Sequence, residues 1–121
     1  MNKIIAVDFD GTLCRPAWPE IGEPNNHVIN YILYQQQTGA SIILWTNRVG
    51  DKLDAAVRWC RDHGLTFDAV NENLPHVIQA FGGDTRKIYA DEYIDDRAIH
   101  PDALQIFKSR VNGRPMRNRR T

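Results

Sequence analysis

Two apolar runs and a short strand-like stretch in this chain stop abruptly at polar residues, several of them acidic, and that pattern constrains the fold more than any other feature. Residues 3–8 (KIIAVD) run into Phe9-Asp10-Gly11-Thr12, residues 40–46 (ASIILWT) into Asn47-Arg48, and Glu92–Ile94 into Asp95-Asp96-Arg97. The first two runs are rich in β-branched residues and lack polar alternation, as expected of strands buried on both faces. A shorter strand fits residues 67–70.

The stretches between these runs have helical spacing. In residues 27–38, Val28, Ile29, Ile32 and Leu33 share a face, with Asn26 as the expected cap and Gly39 as the stop. In residues 51–63, Leu53, Ala56, Val57 and Cys60 share a face and Gly64 follows. Pro75–Phe81 opens with proline, which lacks only an N–H that a helix start leaves unbonded. Pro101–Phe107 reads as a last helix with Leu104, Ile106 and Phe107 turned partly inward. Apolar strands alternating with amphipathic helices predict an α/β fold, a three-layer α/β/α Rossmann-like domain with a mostly parallel sheet.

A chain of 121 residues has room for one such domain. Its 15 basic and 15 acidic residues cancel, which argues against a polybasic nucleic-acid binder. The balance is local, however. Residues 108–121 hold 6 basic residues and no acid, leaving residues 1–107 with 9 basic and 15 acidic, a net of −6. Asn112-Gly113 and Pro115 break any periodicity there, so the division expected is a folded domain over residues 1–107 and a flexible basic tail over 108–121. Either the tail is solvated or docked on its own acidic domain, or it contacts a phosphate backbone, with the steep salt dependence such contacts bring.

In a parallel sheet, ligands bind beyond the carboxyl ends of the strands, where strand order reverses. That rule gathers the polar endings of the three runs at one edge. Asp8 and Asp10 lie two apart and leave the strand on one side, while Gly11 allows a tight turn and a close backbone approach to an anion. Asp8, Asp95 and Asp96 brought together could not all stay charged without a cation, and an oxygen-only set suits Mg²⁺. Neighbours on a strand point to opposite faces, so Asp95 and Asp96 both reach one ion only if the chain turns there. The Thr46 hydroxyl and the Lys87 ammonium would complement phosphoryl oxygens, and a carboxylate can attack phosphorus. Strand-end acids also serve as helix caps, but three such endings are hard to explain that way.

DFDGTL after an apolar strand, then LWTNR, then a lysine followed by YIDDRA, resembles the haloacid dehalogenase-like hydrolase superfamily over residues 3–107. The resemblance implies that Asp8 is the nucleophile and a Mg²⁺ ligand, and that Asp10 is the general acid/base, its backbone carbonyl a further ligand. It implies that Thr46 and Asn47 bind the transferring phosphoryl group, that Lys87 neutralises it, and that Asp95 and Asp96 hold the metal. Lys87 lies only 8 residues before Asp95, closer than in many family members, so Arg86 and Arg48 are alternatives for its role at the substrate. Asp91 is either a further metal acid or solvated.

Members of that superfamily carry a cap domain either just after the nucleophile or after the threonine strand. Here the 36 residues from Asp10 to Thr46 are taken by a proline-rich loop and one helix, so no cap domain is expected. An uncapped site accepts a phosphorylated small molecule or the exposed phosphate end of a polymer. Pro16, Trp18 and Pro19 could form a small flap, or simply pack. The expected function is Mg²⁺-dependent phosphomonoester hydrolysis through an aspartyl-phosphate. The alternatives are a phosphatase of nucleic-acid ends that uses the tail, or a non-catalytic binding module on the same scaffold.

Remaining features are quieter. Cys14 and Cys60 form no CxxC pair and read as buried small hydrophobes; without an export signal they suggest the cytoplasm. His27, His63, His76 and His100 show no ligand spacing, and Trp18, Trp45 and Trp59 read as packing residues. No apolar run is long enough to span a bilayer, so no membrane partner is expected.

Overall fold

Alternate residues along the central strands go to opposite faces, and each face meets its own helices. In a computed structural model, which describes residues 2–107, 110–111 and 114–115, the strands are β1 (Ile4–Val7), β2 (Ser41–Leu44), β3 (Ala69–Val70) and β4 (Glu92–Ile94). They form an all-parallel sheet in the order β3-β2-β1-β4. The connections carry α1 (Asn26–Gln37), α2 (Gly50–Asp62) and α3 (Pro75–Phe81). Ile5, Val7, Ile42 and Leu44 pack with Ile29 and Ile32 of α1 and Ala56 and Cys60 of α2. Ile4, Ala6, Ile43 and Ala69 pack on the other side with Leu74, Ile88 and Val77 of α3. Two apolar layers on either side of one sheet make the three-layer α/β/α domain that the sequence predicts.

Strand order reverses at β1, which has β2 on one side and β4 on the other. Register matters here: Val7 stands opposite both Leu44 and Ile94, so the three strands end level with one another. Between β1 and α1 lies only a loop tied at its base. Arg15 N–H donates to the Glu23 carbonyl at 2.8 Å, and Cys14 bridges to Pro24.

Element ends and types differ from expectation in several places. Asn25, not Asn26, precedes α1, and its side chain does not cap the helix; its amide donates to the Thr12 carbonyl at 2.9 Å and fastens the loop instead. Residues 40, 45 and 46 lie outside β2, because Thr46 N–H is taken by the Asn71 side chain at 2.8 Å rather than by a strand. Pro101–Phe107 is a 3-10 helix, not an inward-facing α-helix, and Leu104, Ile106 and Phe107 remain about half exposed. With three residues per turn, Pro101, Leu104 and Phe107 share one edge while Ile106 lies off it.

β5 (Arg110–Val111) and β6 (Arg114–Pro115) pair as a short antiparallel ribbon; the rest of the expected basic arm, and its nucleic-acid contact, lies outside the described residues. No helix among the described residues is long and apolar enough to cross a membrane. Cys14 and Cys60 are buried and unbridged, and burial pushes the Cys60 thiol up to about 12.

Asn73, only 2% exposed, pins the segment that leads into β4. Its amide donates to Asp84 Oδ1 at 2.8 Å and to the Thr85 carbonyl at 3.1 Å, while its Oδ1 accepts from Tyr89 N–H at 2.7 Å. Asn73→Ala would leave these groups without their partner and should cost about 2 kcal/mol. A urea unfolding midpoint unchanged from wild type would refute that assignment.

Candidate active site

The carboxyl edge of the sheet carries an open cleft in two adjoining lobes of about 360 and 400 Å³, both lined by Asp8, Thr46, Asn47 and Asp95. Asp8 directly follows β1, and its N–H donates to the Ile94 carbonyl at 2.9 Å, extending the β1–β4 ladder by one bond. Its Oδ2 accepts from the Thr12 hydroxyl at 3.2 Å. β4 ends at Ile94, and the chain turns at Asp96 and Arg97, with Arg97 N–H donating to Asp95 Oδ1 at 3.1 Å. That turn is what lets two adjacent acids face one point.

Asp8, Asp95 and Asp96 each present a carboxylate oxygen within 4.8 Å of the other two. Ligand oxygens around one Mg²⁺ lie about 3–4 Å apart, so this all-oxygen set fits a hard divalent cation. Half-burial, together with the charges of Asp95 and Asp96, pushes Asp8 up to about 6. Gly11, at φ +82°, packs against the Asp96 carboxylate where any Cβ would collide with Oδ2. The left-handed turn favours glycine here, and any larger residue would also displace the Asp96 carboxylate.

Thr46 and Asn47 sit on the loop after β2. The Thr46 backbone is held by Asn71, itself at φ +56°, and its Oγ1 accepts from Arg48 N–H at 3.2 Å, so the hydroxyl proton remains available to a ligand. Asn71 lines the cleft and was missed by sequence reasoning; an asparagine just after a short strand, where a left-handed residue is tolerated, was its one signal. Pro16 and Trp18 of the loop form part of the second lobe's wall, as does Arg97, which sequence reasoning also missed.

The cationic residues are arranged differently from expectation. Arg86 lines the first lobe beside Asp8 and Thr46. Lys87 is exposed, its ammonium 5.9 Å from the centre of the Tyr93 ring. Arg48, expected at the substrate, is 2% exposed and turned onto Asp10, with Nε 2.8 Å from Oδ2 and Nη2 2.8 Å from Oδ1. Its fork geometry matches the Asp10 carboxylate, which takes a bond at each oxygen. Asp91 takes no part in the cleft: its Oδ2 accepts from Ile4 N–H at 2.8 Å, at the opposite end of the sheet. Trp45 and Trp59 pack on Tyr93 and Phe9 with ring centres 5.5 Å apart in both pairs, whereas Trp18 is 62% exposed.

The chain is similar to a solved structure of a conserved protein coded by a locus from Bacteroides thetaiotaomicron. The two are 38% identical with a TM-score of 0.71, and 89% of this chain and 91% of the other are covered. No protein-family model matches the chain, and no curated protein does.

Three carboxylates this close repel one another in the metal-free protein. Asp95→Asn should therefore stabilise the metal-free protein, by about 1 kcal/mol for one close charge pair in a solvated setting. The same substitution should remove most of the Mg²⁺-dependent rise in melting temperature, which for a saturated site corresponds to about 2–3 kcal/mol. An undiminished Mg²⁺ shift in that variant would rule out a shared cation.

Proposed function

The chain belongs to the same family as the conserved Bacteroides thetaiotaomicron protein, and from its own motifs and cleft we propose that it is a Mg²⁺-dependent phosphomonoester hydrolase of the haloacid dehalogenase-like superfamily. The observation that carries this reading is the gathering of Asp8, Asp95 and Asp96 within 4.8 Å, in a cleft that also holds Asp10, Thr46 and Asn47. Asp8, Asp95 and Asp96 would hold Mg²⁺, with the Asp10 backbone carbonyl as a further ligand. When bound, the cation supplies positive charge against the carboxylates and the phosphoryl oxygens.

In the proposed reaction an Asp8 oxygen attacks phosphorus and the bond to the leaving alcohol breaks, giving an aspartyl-phosphate. Asp10 gives its proton to the departing oxygen. It then takes a proton from the water that attacks phosphorus, releasing inorganic phosphate and restoring Asp8. The Thr46 hydroxyl and the Asn47 amide donate to the phosphoryl oxygens, and the Gly11 turn keeps the backbone close. Arg86, in the cleft, supplies the cationic charge in the role that the resemblance implied for Lys87.

The reading makes two demands on turnover. Asp8→Asn should abolish phosphate release from p-nitrophenyl phosphate, and chelation of Mg²⁺ should stop the wild-type enzyme. Turnover by the Asp8→Asn variant at even about a hundredth of the wild-type rate would remove Asp8 from the nucleophile's role.

An open cleft without a cap suits a phosphorylated small molecule or the phosphate end of a polymer, in a cytoplasmic enzyme. The six basic residues of 108–121 would add affinity for a nucleic-acid end. Deleting residues 108–121 should leave small-substrate turnover intact and weaken binding of a 5′- or 3′-phosphorylated oligonucleotide at low salt. Equal oligonucleotide affinity in both proteins would leave only the small-molecule reading.

A further inference from the structure

We infer that Arg48 is a positioning residue that holds the Asp10 carboxyl at the wall of the cleft and fastens it to the tip of the 14–24 loop, so that this loop does part of the work a cap would do. The inference deepens the hydrolase reading and rests on it. Arg48 heads the fully buried side chains by volume, at 2% exposed, and its carboxylate partner is Asp10. A buried guanidinium is costly unless every donor is engaged, and here nearly all are. Nε and Nη2 form two 2.8 Å bonds to the two oxygens of Asp10; Nη2 also donates to the Glu20 carbonyl at 3.0 Å, and Nη1 to the Lys52 carbonyl at 3.4 Å. The guanidinium lies over the Phe9 ring at 5.1 Å and the Trp18 ring at 4.9 Å.

These contacts leave Arg48 little capacity for a phosphate and a large capacity to hold Asp10. A carboxylate gripped at both oxygens by a planar fork cannot rotate freely. The fork is itself fixed from two directions, by Phe9 and Lys52 on the body of the domain and by Trp18 and Glu20 on the loop. Trp18 is 62% exposed and lines the cleft, so the loop tip, the guanidinium and the general acid/base form one connected unit at its mouth. A shift of the loop moves Asp10.

The dependence of rate on the leaving group tests this, because only a poor leaving group needs the proton that Asp10 delivers. The measurement is kcat/KM, which reports the first transfer, for a simple alkyl phosphate and for p-nitrophenyl phosphate, with saturating Mg²⁺. Arg48→Gln should lower the alkyl value about 100-fold and the p-nitrophenyl value less than about 5-fold, with the alkyl loss carried by kcat and not by KM. Arg48→Lys, which keeps the charge but not the fork, should show the same selectivity in a smaller loss. Asp10→Asn should match Arg48→Gln, and the double variant should be no worse than Asp10→Asn alone.

Trp18→Ala removes an exposed ring and leaves the fold intact, so it carries the test even where Arg48→Gln does not fold; a smaller loss, again confined to the alkyl ester, is expected. Equal losses on both esters in Trp18→Ala and Arg48→Lys, or a raised KM with kcat preserved, would overturn the positioning role. Wild-type protein inert on both esters would instead overturn the hydrolase reading, and this inference with it.

Discussion

Parallel pairing of β1 with β4 is the constraint on which the site depends. With Val7 opposite Ile94, the residues that leave the two strands are Asp8 and Asp95, and they leave side by side. Like charges at that distance are unfavourable, and they add to burial, the larger cause, in pushing the Asp8 carboxyl up to about 6. The core on both faces of the sheet has to override that repulsion, and it does so with strands whose described side chains are buried almost throughout in β1 and β2. A stable hydrophobic sandwich here holds together an edge that would otherwise separate.

The same edge is shaped by small backbone choices. Gly11 lets the chain turn against Asp96, and Asn71 adopts a left-handed conformation from which its amide oxygen holds Thr46 N–H. Neither residue has chemistry to offer phosphorus. Their effect is to fix where Asp96 and Thr46 stand, and a site that works by charge placement depends on such fixing more than on extra reactive groups.

The sheet, the order of its helices and the acidic edge were legible because they rest on local patterns: apolar runs, helical spacing and acids at strand ends. Gly11, Thr46, Asn47 and the carboxylates all lie at or just beyond strands, where one rule about parallel sheets places them. The partner of Arg48 was not legible. Nothing in LWTNR says whether an arginine side chain turns out to a ligand or back to Asp10, 38 residues earlier, because that choice depends on the void left between Phe9 and Trp18. Pro101–Phe107 misled for the opposite reason: its apolar residues suggested a buried face, but Leu104, Ile106 and Phe107 stay about half exposed.

These two cases bear on how a small site of this kind could operate without a cap. A cap excludes water and aligns the acid by covering the substrate. Here, a loop closed at its base by Arg15, Glu23 and Asn25 contributes Pro16 and Trp18 to the wall of the cleft. What the loop can do is act on one side chain. By stacking on Arg48 it reaches Asp10, and Asp10 is the group whose orientation the proposed reaction needs twice, once to give a proton and once to take one. In the proposed reaction, exclusion of water would then be left to the substrate itself, and the bulk of the alcohol it carries would become part of the closure. On this view, larger leaving groups that fill the space between Trp18 and Arg97 gain in rate as well as in binding.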